Sequence, residues 1–290
     1  MTCSLSGRQI FGAQVMKVYL CQCNIIWCDE KANRAHIEDL ISKAGVAEGG
    51  VLVLPEMFST GFITSPAFTA ERDGASLEWM KKLAKQYDCA VAGSVATAVN
   101  DAGGKADEVG SSYFNRFYFV KPDGTFSKYD KRHLFSFAGE DKRFTAGKEK
   151  TVAEYEGLRF LLQVCYDLRF PVFSRNRLEK ADSHAAQRET SARAEYDIAV
   201  YVASWPNQRI SAWDSLLKAR AIENQCFVVG VNRVGKDPSC EYDGHSVIIN
   251  PYGEVLSACR NGAEEITSAD LDMDSLFSFR NKFPVLLDAD

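Results

Sequence analysis

The sequence lacks three features that would assign it quickly to a class of protein. No block of lysine and arginine interrupts its 290 residues, and the net charge is −5 at pH 7, so nucleic acid is a poor candidate partner. No apolar run reaches the length of about 18 residues that a membrane-spanning helix needs. Residues 1–15 do not resemble a secretory signal. Met16 could be a second start site, and residues 1–15 would then form a disordered leader.

Cysteine is neither dense nor even in number. The nine cysteines are scattered over the chain, whereas small secreted domains carry dense, even sets. We therefore expect a reducing compartment, the cytoplasm. Cys21, Cys23 and Cys28 lie close together, but no second Cys or His pair follows at zinc spacing. We expect these thiols to pack in the core, and we expect neither a metal nor another cofactor.

Segments with strand and helix periodicity alternate along the chain. The predicted strands cover residues 18–26, 51–54, 90–95, 112–120, 126–129, 160–165, 198–204, 227–232, 246–250 and 254–257. The predicted helices cover residues 29–47, 76–87 and 211–224. This pattern favours one α/β domain over residues 16–290, with a mixed sheet or two packed sheets. Residues 179–195 contain no large apolar side chain and are predicted to be a surface insertion.

Three reactive side chains stand where predicted strands end. Cys165 follows the apolar run 158–164, Glu56 follows the run 51–55, and Lys131 lies in the segment 128–135. Active sites of α/β proteins lie at such carboxyl ends of strands. Each residue alone has a plainer interpretation, because buried cysteines are usually inert, a Glu after Pro often caps a helix, and lysines are mostly surface charges.

Together these side chains could hydrolyse an amide. A thiolate is a strong nucleophile, but a base must take the proton of the Cys165 thiol, and Glu56 can do so. The tetrahedral oxyanion needs donors, which the ammonium of Lys131 and the backbone N–H of Tyr166 can supply. Protonated Glu56 can then hand its proton to the leaving amine and later activate water against the thioester.

The segments around these residues resemble the signature segments of the nitrilase or carbon–nitrogen hydrolase superfamily. Residues 54–58, 129–135 and 164–171 match in order and spacing, and residues 203–206 and 219–224 add support. The resemblance implies an α-β-β-α sandwich that pairs as a homodimer. It also implies that Glu56, Lys131 and Cys165 form the catalytic triad, and that Glu140 orients the lysine.

Within this superfamily, residues 165–176 and 232–235 are most similar to bacterial omega-amidases. That resemblance implies hydrolysis of the distal amide of 2-oxo acids such as 2-oxoglutaramate and 2-oxosuccinamate. Two alternatives stay open: another carbon–nitrogen hydrolase, acting on an aliphatic amide, an N-carbamoyl amine or a nitrile, and a non-catalytic binding protein with the same fold.

Several polar residues near these segments remain to be assigned. His133 is predicted to pack or to support the site rather than to act as a base, because Glu56 already supplies one. Asp167 and Arg169 are predicted to form a structural ion pair, with a substrate role as the second choice. Trp205 and Arg209 follow a predicted strand, and Arg209 is a candidate partner for a substrate carboxylate because its guanidinium forms a bidentate fork.

Overall fold

The computed structural model describes residues 14–72, 74–100, 111–179 and 193–289. Residues 1–13 of the predicted leader and residues 180–192 of the predicted insertion lie outside the described residues. The strands are β1 (Val15–Gln22), β2 (Val51–Val53), β3 (Ala90–Asn100), β4 (Ser111–Val120), β5 (Phe126–Asp130), β6 (Val152–Tyr155), β7 (Leu158–Val164), β8 (Ile198–Ala203), β9 (Phe227–Asn232), β10 (Val234–Lys236), β11 (Glu241–Asp243), β12 (Val247–Ile249), β13 (Val255–Ala258) and β14 (Glu265–Asp272). The helices are α1 (Glu30–Ala44), α2 (Ala75–Tyr87), α3 (Glu140–Arg143), α4 (Pro171–Ser174), α5 (Ile210–Asn224) and α6 (Met273–Lys282).

Two six-stranded mixed sheets dominate the described structure. The first has the order β14-β1-β2-β3-β4-β5 and the second the order β13-β12-β9-β8-β7-β6. At the centre of each sheet three strands run parallel: β1, β2 and β3 in the first, and β7, β8 and β9 in the second. The flanking pairs are antiparallel, and β10 and β11 form a separate two-stranded ribbon.

The strand side chains alternate between two cores, which explains the layering. In β7, Phe160, Leu162 and Val164 face the core between the sheets, whereas Leu161 faces the outer core beneath α5. The same alternation in β1 and β2 supplies the core between the sheets and a second outer core that α1 and α2 cover. The order of layers is therefore helix, sheet, sheet, helix, and the predicted α-β-β-α sandwich is confirmed.

The observed strands differ most from the predicted ones near the two ends of the chain. The first strand begins at Val15, which pairs with Asp272, and it ends at Gln22, so the predicted strand 18–26 was shifted. Val15 therefore lies in the sheet, although it was assigned to the predicted leader. The partner strand β14 was not predicted, because it lies at a sheet edge with mostly half-exposed residues and no apolar run. Cys21 and Cys23 pack in the outer core, as predicted, but the prediction was wrong for Cys28, which is exposed.

The described residues bear on the membrane-spanning and metal-binding alternatives that the sequence raised. In this part of the chain no helix has both the length and the apolar character to cross a bilayer. Within the same residues no group of three or more histidine, cysteine or acidic side chains is arranged to hold a metal ion.

Candidate active site

Cys165 stands at the break between β7 and a short 3₁₀ helix, Cys165–Arg169. Its backbone φ is 46°, a left-handed conformation that residues other than glycine rarely adopt and that is found at functional sites. Asp167 stabilises the break, because its carboxylate accepts hydrogen bonds from Val164 N at 3.0 Å and Tyr129 Oη at 2.8 Å. The half-buried thiol is thus fixed at the carboxyl end of a central strand.

Glu56 reaches the site from the other sheet, just beyond β2, and is fully buried. One carboxylate oxygen accepts from Lys131 Nζ at 2.9 Å and from Asn115 Nδ2 at 2.8 Å. The other accepts from the backbone N of Ser204, which follows β8, at 2.8 Å. Three donors hold this carboxylate, and they come from both sheets.

Lys131 lies between two buried carboxylates. Its Nζ is 2.9 Å from Glu56 Oε1 and 2.9 Å from Glu140 Oε2, and all three side chains are fully buried. Burial alone would lower the pKa of Lys131, but the attraction of Glu140 and then Glu56 outweighs it and raises the pKa well above its ordinary value. The ammonium therefore keeps its charge over the whole neutral range.

Glu140 begins α3 and holds Lys131 through both of its oxygens. It also accepts hydrogen bonds from Asn115 Nδ2 at 3.1 Å and from Phe135 N at 2.6 Å. Burial raises the pKa of Glu140, and Lys131 partly offsets that rise. Four hydrogen bonds to its two oxygens favour the ionised form.

The electrostatic surroundings keep the Cys165 thiol protonated in the free protein. Burial raises the pKa of Cys165 well above its ordinary value, and the negative charge of Glu56 raises it further. Lys131 acts in the opposite direction but does not cancel these effects. The nucleophile therefore needs a base at the moment of attack, and Glu56 is the carboxylate whose charge acts most strongly on the thiol.

A cavity of about 410 Å³ opens in front of Cys165. Seven of its 17 lining residues are aromatic, and two arginines and one aspartate are among the others. The lining residues are Trp27, Phe62, Thr64, Phe135, Phe137, Ala138, Cys165, Tyr166, Arg169, Ser204, Trp205, Pro206, Arg209, Asp237, Ser239, Cys240 and Tyr242. Of the predicted site residues, Cys165, Tyr166, Trp205 and Arg209 line the cavity, while Glu56, Lys131 and Glu140 are buried close enough to the Cys165 thiol to affect its pKa.

The family model for carbon-nitrogen hydrolases matches residues 17–281, nearly the whole chain, including every residue of this site. The chain belongs to the carbon–nitrogen hydrolase family. An omega-amidase from Yersinia enterocolitica, YafV, is 40% identical over 276 residues, which cover 95% of this chain and 97% of that protein. A 2-oxoglutaramate amidase from Bacillus subtilis is 37% identical, with 82% and 84% coverage.

A solved structure of this family gives the same fold. It is a carbon–nitrogen hydrolase superfamily protein from Xanthomonas campestris that carries an arsenic adduct in its active site. It superimposes with a TM-score of 0.84 at 36% identity, covering 96% of this chain and 98% of that one. The resemblance found in the three sequence segments is therefore confirmed.

Sequence reasoning missed Asn115, which occupies the centre of this carbon–nitrogen hydrolase site. Its amide nitrogen donates to both Glu56 and Glu140, so one fully buried side chain bridges the two carboxylates. The available signal was a polar residue in the middle of the largely aromatic strand β4. That signal marks a buried hydrogen bond without identifying the partners, which come from distant segments.

The predicted ion pair between Asp167 and Arg169 was wrong. Asp167 turns back to Val164, Tyr129 and the backbone N of His133, whereas the guanidinium of Arg169 lies 4.9 Å from the centre of the Trp205 ring. The supporting role predicted for His133 agrees with the structure. Its Nδ1 forms a hydrogen bond with Asp167 Oδ1, and its ring stacks on that of Phe170 with the ring centres 3.9 Å apart.

Proposed function

We propose that this carbon–nitrogen hydrolase is an omega-amidase. It hydrolyses the distal amide of small 2-oxo dicarboxylic acid monoamides, such as 2-oxoglutaramate and 2-oxosuccinamate, to the acid and ammonia. The names of the relatives at about 40% identity support this substrate class. The observation that carries the proposal is that Cys165 and Arg209 line the same cavity of about 410 Å³.

The proposed reaction begins when Glu56 takes the thiol proton and the Cys165 sulfur attacks the amide carbon. The carbonyl oxygen becomes an oxyanion, which Lys131 Nζ and the backbone N–H of Tyr166 stabilise. The first N–H groups of a helix have no partner within it, which suits Tyr166 to this role. Glu56 then protonates the amine as the C–N bond breaks, leaving a thioester and releasing ammonia.

The second half of the reaction restores the enzyme. Glu56 removes a proton from water, and the hydroxide oxygen attacks the thioester carbon. The C–S bond breaks, the thiol regains its proton, and the carboxylic acid leaves. Glu140 positions Lys131 throughout, so the amide and one water give the acid and ammonia.

Arg209 is the proposed partner of the substrate carboxylate. A carboxylate that enters a partly dry cavity loses its hydration and needs a charge-assisted partner in return. Arg209 lies 5.3 Å from the centre of the Phe135 ring, and its backbone carbonyl accepts a hydrogen bond from Trp205 Nε1 at 2.8 Å. The aromatic rings of Phe135 and Trp205 therefore fix the position of this arginine at the cavity wall.

A panel of amides tests the substrate class. We expect 2-oxoglutaramate to be hydrolysed with a higher kcat/KM than hexanamide, an aliphatic nitrile or an N-carbamoyl amine. Arg209→Met should raise the KM for 2-oxoglutaramate by a factor that corresponds to about 1.5–3 kcal/mol, the contribution of a hydrogen bond to a charged group. The KM for hexanamide should hardly change. A faster rate on the nitrile or N-carbamoyl compound would reject the omega-amidase assignment while leaving the cysteine mechanism intact.

A non-catalytic role is tested separately with Cys165→Ala. The variant should fold normally and release no ammonia, and mass spectrometry should detect an acyl adduct only on the wild-type protein. Absence of any adduct or ammonia from the wild type with the whole panel would favour a binding protein.

We also propose that the protein acts in the cytoplasm as a homodimer without a cofactor. Large apolar side chains that lie open on the surface, including Val172 at 84% exposure, Phe283 at 60% and Leu287 at 66%, support a partner subunit. Sedimentation velocity at micromolar concentration tests this proposal, and a single species of about 32 kDa, the mass of one chain, would reject it.

A further inference from the structure

Arg169 differs from most other buried or half-buried arginines of this protein in the contacts of its guanidinium group. In residues 14–72, 74–100, 111–179 and 193–289, most buried or half-buried guanidinium groups donate a hydrogen bond or form an ion pair. In that part of the chain, Arg169 and Arg209 are the two half-buried arginines for which neither kind of contact is found, and both line the cavity of Cys165. Two unpaired guanidinium groups on one cavity wall point to a ligand with more than one acceptor.

The surroundings of Arg169 fix it without using its donors. Its guanidinium carbon lies 4.9 Å from the centre of the Trp205 ring, and this contact with an aromatic face leaves the N–H groups at the edge available. Trp205 is itself held, because its backbone N donates to Asn232 Oδ1 at 2.7 Å and its Nε1 donates to Arg209 O at 2.8 Å. The same indole therefore connects the two arginines.

Arg169 is also fixed relative to the nucleophile. It ends the 3₁₀ helix that Cys165 begins, and the preceding carbonyl, of Leu168, accepts a hydrogen bond from Arg220 Nη2 at 2.5 Å. A ligand group bound to Arg169 therefore has a defined position with respect to the sulfur.

The carboxylate of Asp237 lies on the cavity wall but forms no ion pair with Arg169 or Arg209. Asp237 lines the cavity, but its Oδ1 accepts from the backbone N of Ser239 at 2.7 Å and of Cys240 at 2.8 Å. Its Oδ2 accepts from Tyr242 Oη at 2.5 Å. These local donors hold the Asp237 carboxylate within its own loop and leave the arginines to an incoming anion.

We propose that Arg169 is a specificity-determining residue that binds the 2-oxo group of the substrate, while Arg209 binds the carboxylate. This inference rests on the proposed omega-amidase function and extends it to the recognition of the ketone. A 2-oxo carboxylate presents three oxygen acceptors on adjacent carbons, which two guanidinium groups can satisfy together. A simple omega-monoamide presents only the carboxylate and would leave the donors of Arg169 without a protein or substrate partner.

A comparison of two substrates isolates the role of Arg169. Glutaramate has the carboxylate and the distal amide of 2-oxoglutaramate but a methylene in place of the ketone. In Arg169→Met, the ratio of kcat/KM for 2-oxoglutaramate to that for glutaramate should fall about 10-fold, the loss expected from one hydrogen bond to a charged donor. In Arg209→Met both substrates should lose similar factors, so the ratio should stay close to that of the wild type.

Two further variants separate recognition from structure. Arg169→Lys keeps a cation and should recover part of the ratio, whereas Arg260→Met removes an exposed arginine outside the cavity and should leave the ratio unchanged. Equal losses on both substrates in Arg169→Met, with a lower melting temperature, would indicate a merely structural role and overturn the proposal. An unchanged ratio would overturn it as well.

A binding measurement keeps this proposal separate from the proposed function. Calorimetry with the Cys165→Ala variant should give tighter binding of 2-oxoglutarate than of glutarate, and adding Arg169→Met should abolish that difference. If the wild type prefers a nitrile or a neutral amide while this binding difference persists, the omega-amidase assignment fails and the role of Arg169 stands. If the binding difference is absent or survives the loss of Arg169, the role of Arg169 fails.

Discussion

Replacing Glu140 with glutamine tests the buried charge arrangement most directly. Each Glu140 oxygen accepts two hydrogen bonds: Oε1 from Lys131 and Asn115, and Oε2 from Lys131 and Phe135 N. Glutamine has one acceptor oxygen, so either orientation of its amide places an NH₂ group against two donors. The variant therefore loses two of the four hydrogen bonds and the ion pair with Lys131.

The expected magnitude follows from these contacts. Breaking a buried ion pair by removing one partner costs about 3–5 kcal/mol. Lys131 keeps its contact with Glu56, so we expect a loss of about 3 kcal/mol in the free energy of unfolding, the lower end of that range. The ammonium is no longer held from both sides, and kcat should fall roughly 10²-fold, as when an oxyanion donor is misplaced. The KM should change little, because Glu140 does not line the cavity.

Glu71→Gln provides a matched control. Glu71 is also a buried carboxylate, which accepts a hydrogen bond from Ser76 N at 2.8 Å and lies 3.6 Å from Arg34, but it is not part of the cavity wall. Urea unfolding and ammonia release from 2-oxoglutaramate should be measured on both variants. Glu71→Gln should lose stability but keep its kcat. Equal losses of kcat in both variants, after correction for the folded fraction, would contradict a positioning role for Glu140. A kcat of Glu140→Gln within three-fold, about 0.65 kcal/mol, of the wild type would contradict it as well.

Two more predictions concern the neighbours of Glu140. Because the raised pKa of Cys165 keeps the thiol protonated, its alkylation by iodoacetamide should accelerate as the pH rises above neutrality. Lys131→Met removes the charge that lowers the pKa of Cys165, so the Cys165 peptide should be labelled more slowly at each pH. Labelling is followed by peptide-resolved mass spectrometry, and faster labelling of the variant would contradict the expected direction of this pKa change. Asn115→Leu removes one hydrogen bond from Glu56 and one from Glu140. The variant should lose about 2–3 kcal/mol of stability in urea unfolding, and its kcat should fall by roughly 10-fold or more. An unchanged kcat would show that Asn115 does not position the carboxylates.

Local sequence patterns predicted the central fold because the central strands are buried on both faces. The apolar runs of β7, β8 and β9 can be recognised from neighbouring residues alone. The strand β14 could not be predicted in this way, since its pairing partner β1 lies at the opposite end of the chain. Its half-exposed, mixed sequence carries no periodicity that would distinguish it from a loop.

The candidate site also combines residues that local sequence predicts with contacts that depend on the whole fold. Residues at strand ends within the three signature segments were found, because their setting is local and their order is characteristic of the family. The bridge from Asn115 to two carboxylates and the contact of Arg169 with Trp205 join segments distant in sequence. The pairing of Asp167 with Arg169 was predicted from their proximity in sequence, whereas the fold directs Asp167 toward the preceding strand end.

The origin of the active-site groups in two different sheets makes the site sensitive to how the sheets are packed. Glu56 and Lys131 follow strands of one sheet, while Cys165 and the Ser204 N–H follow strands of the other. A small slide of one sheet against the other would leave every strand intact and yet separate the thiol from its base. On heating, activity should therefore be lost at a lower temperature than secondary structure, because alignment of the two layers fails before either layer unfolds.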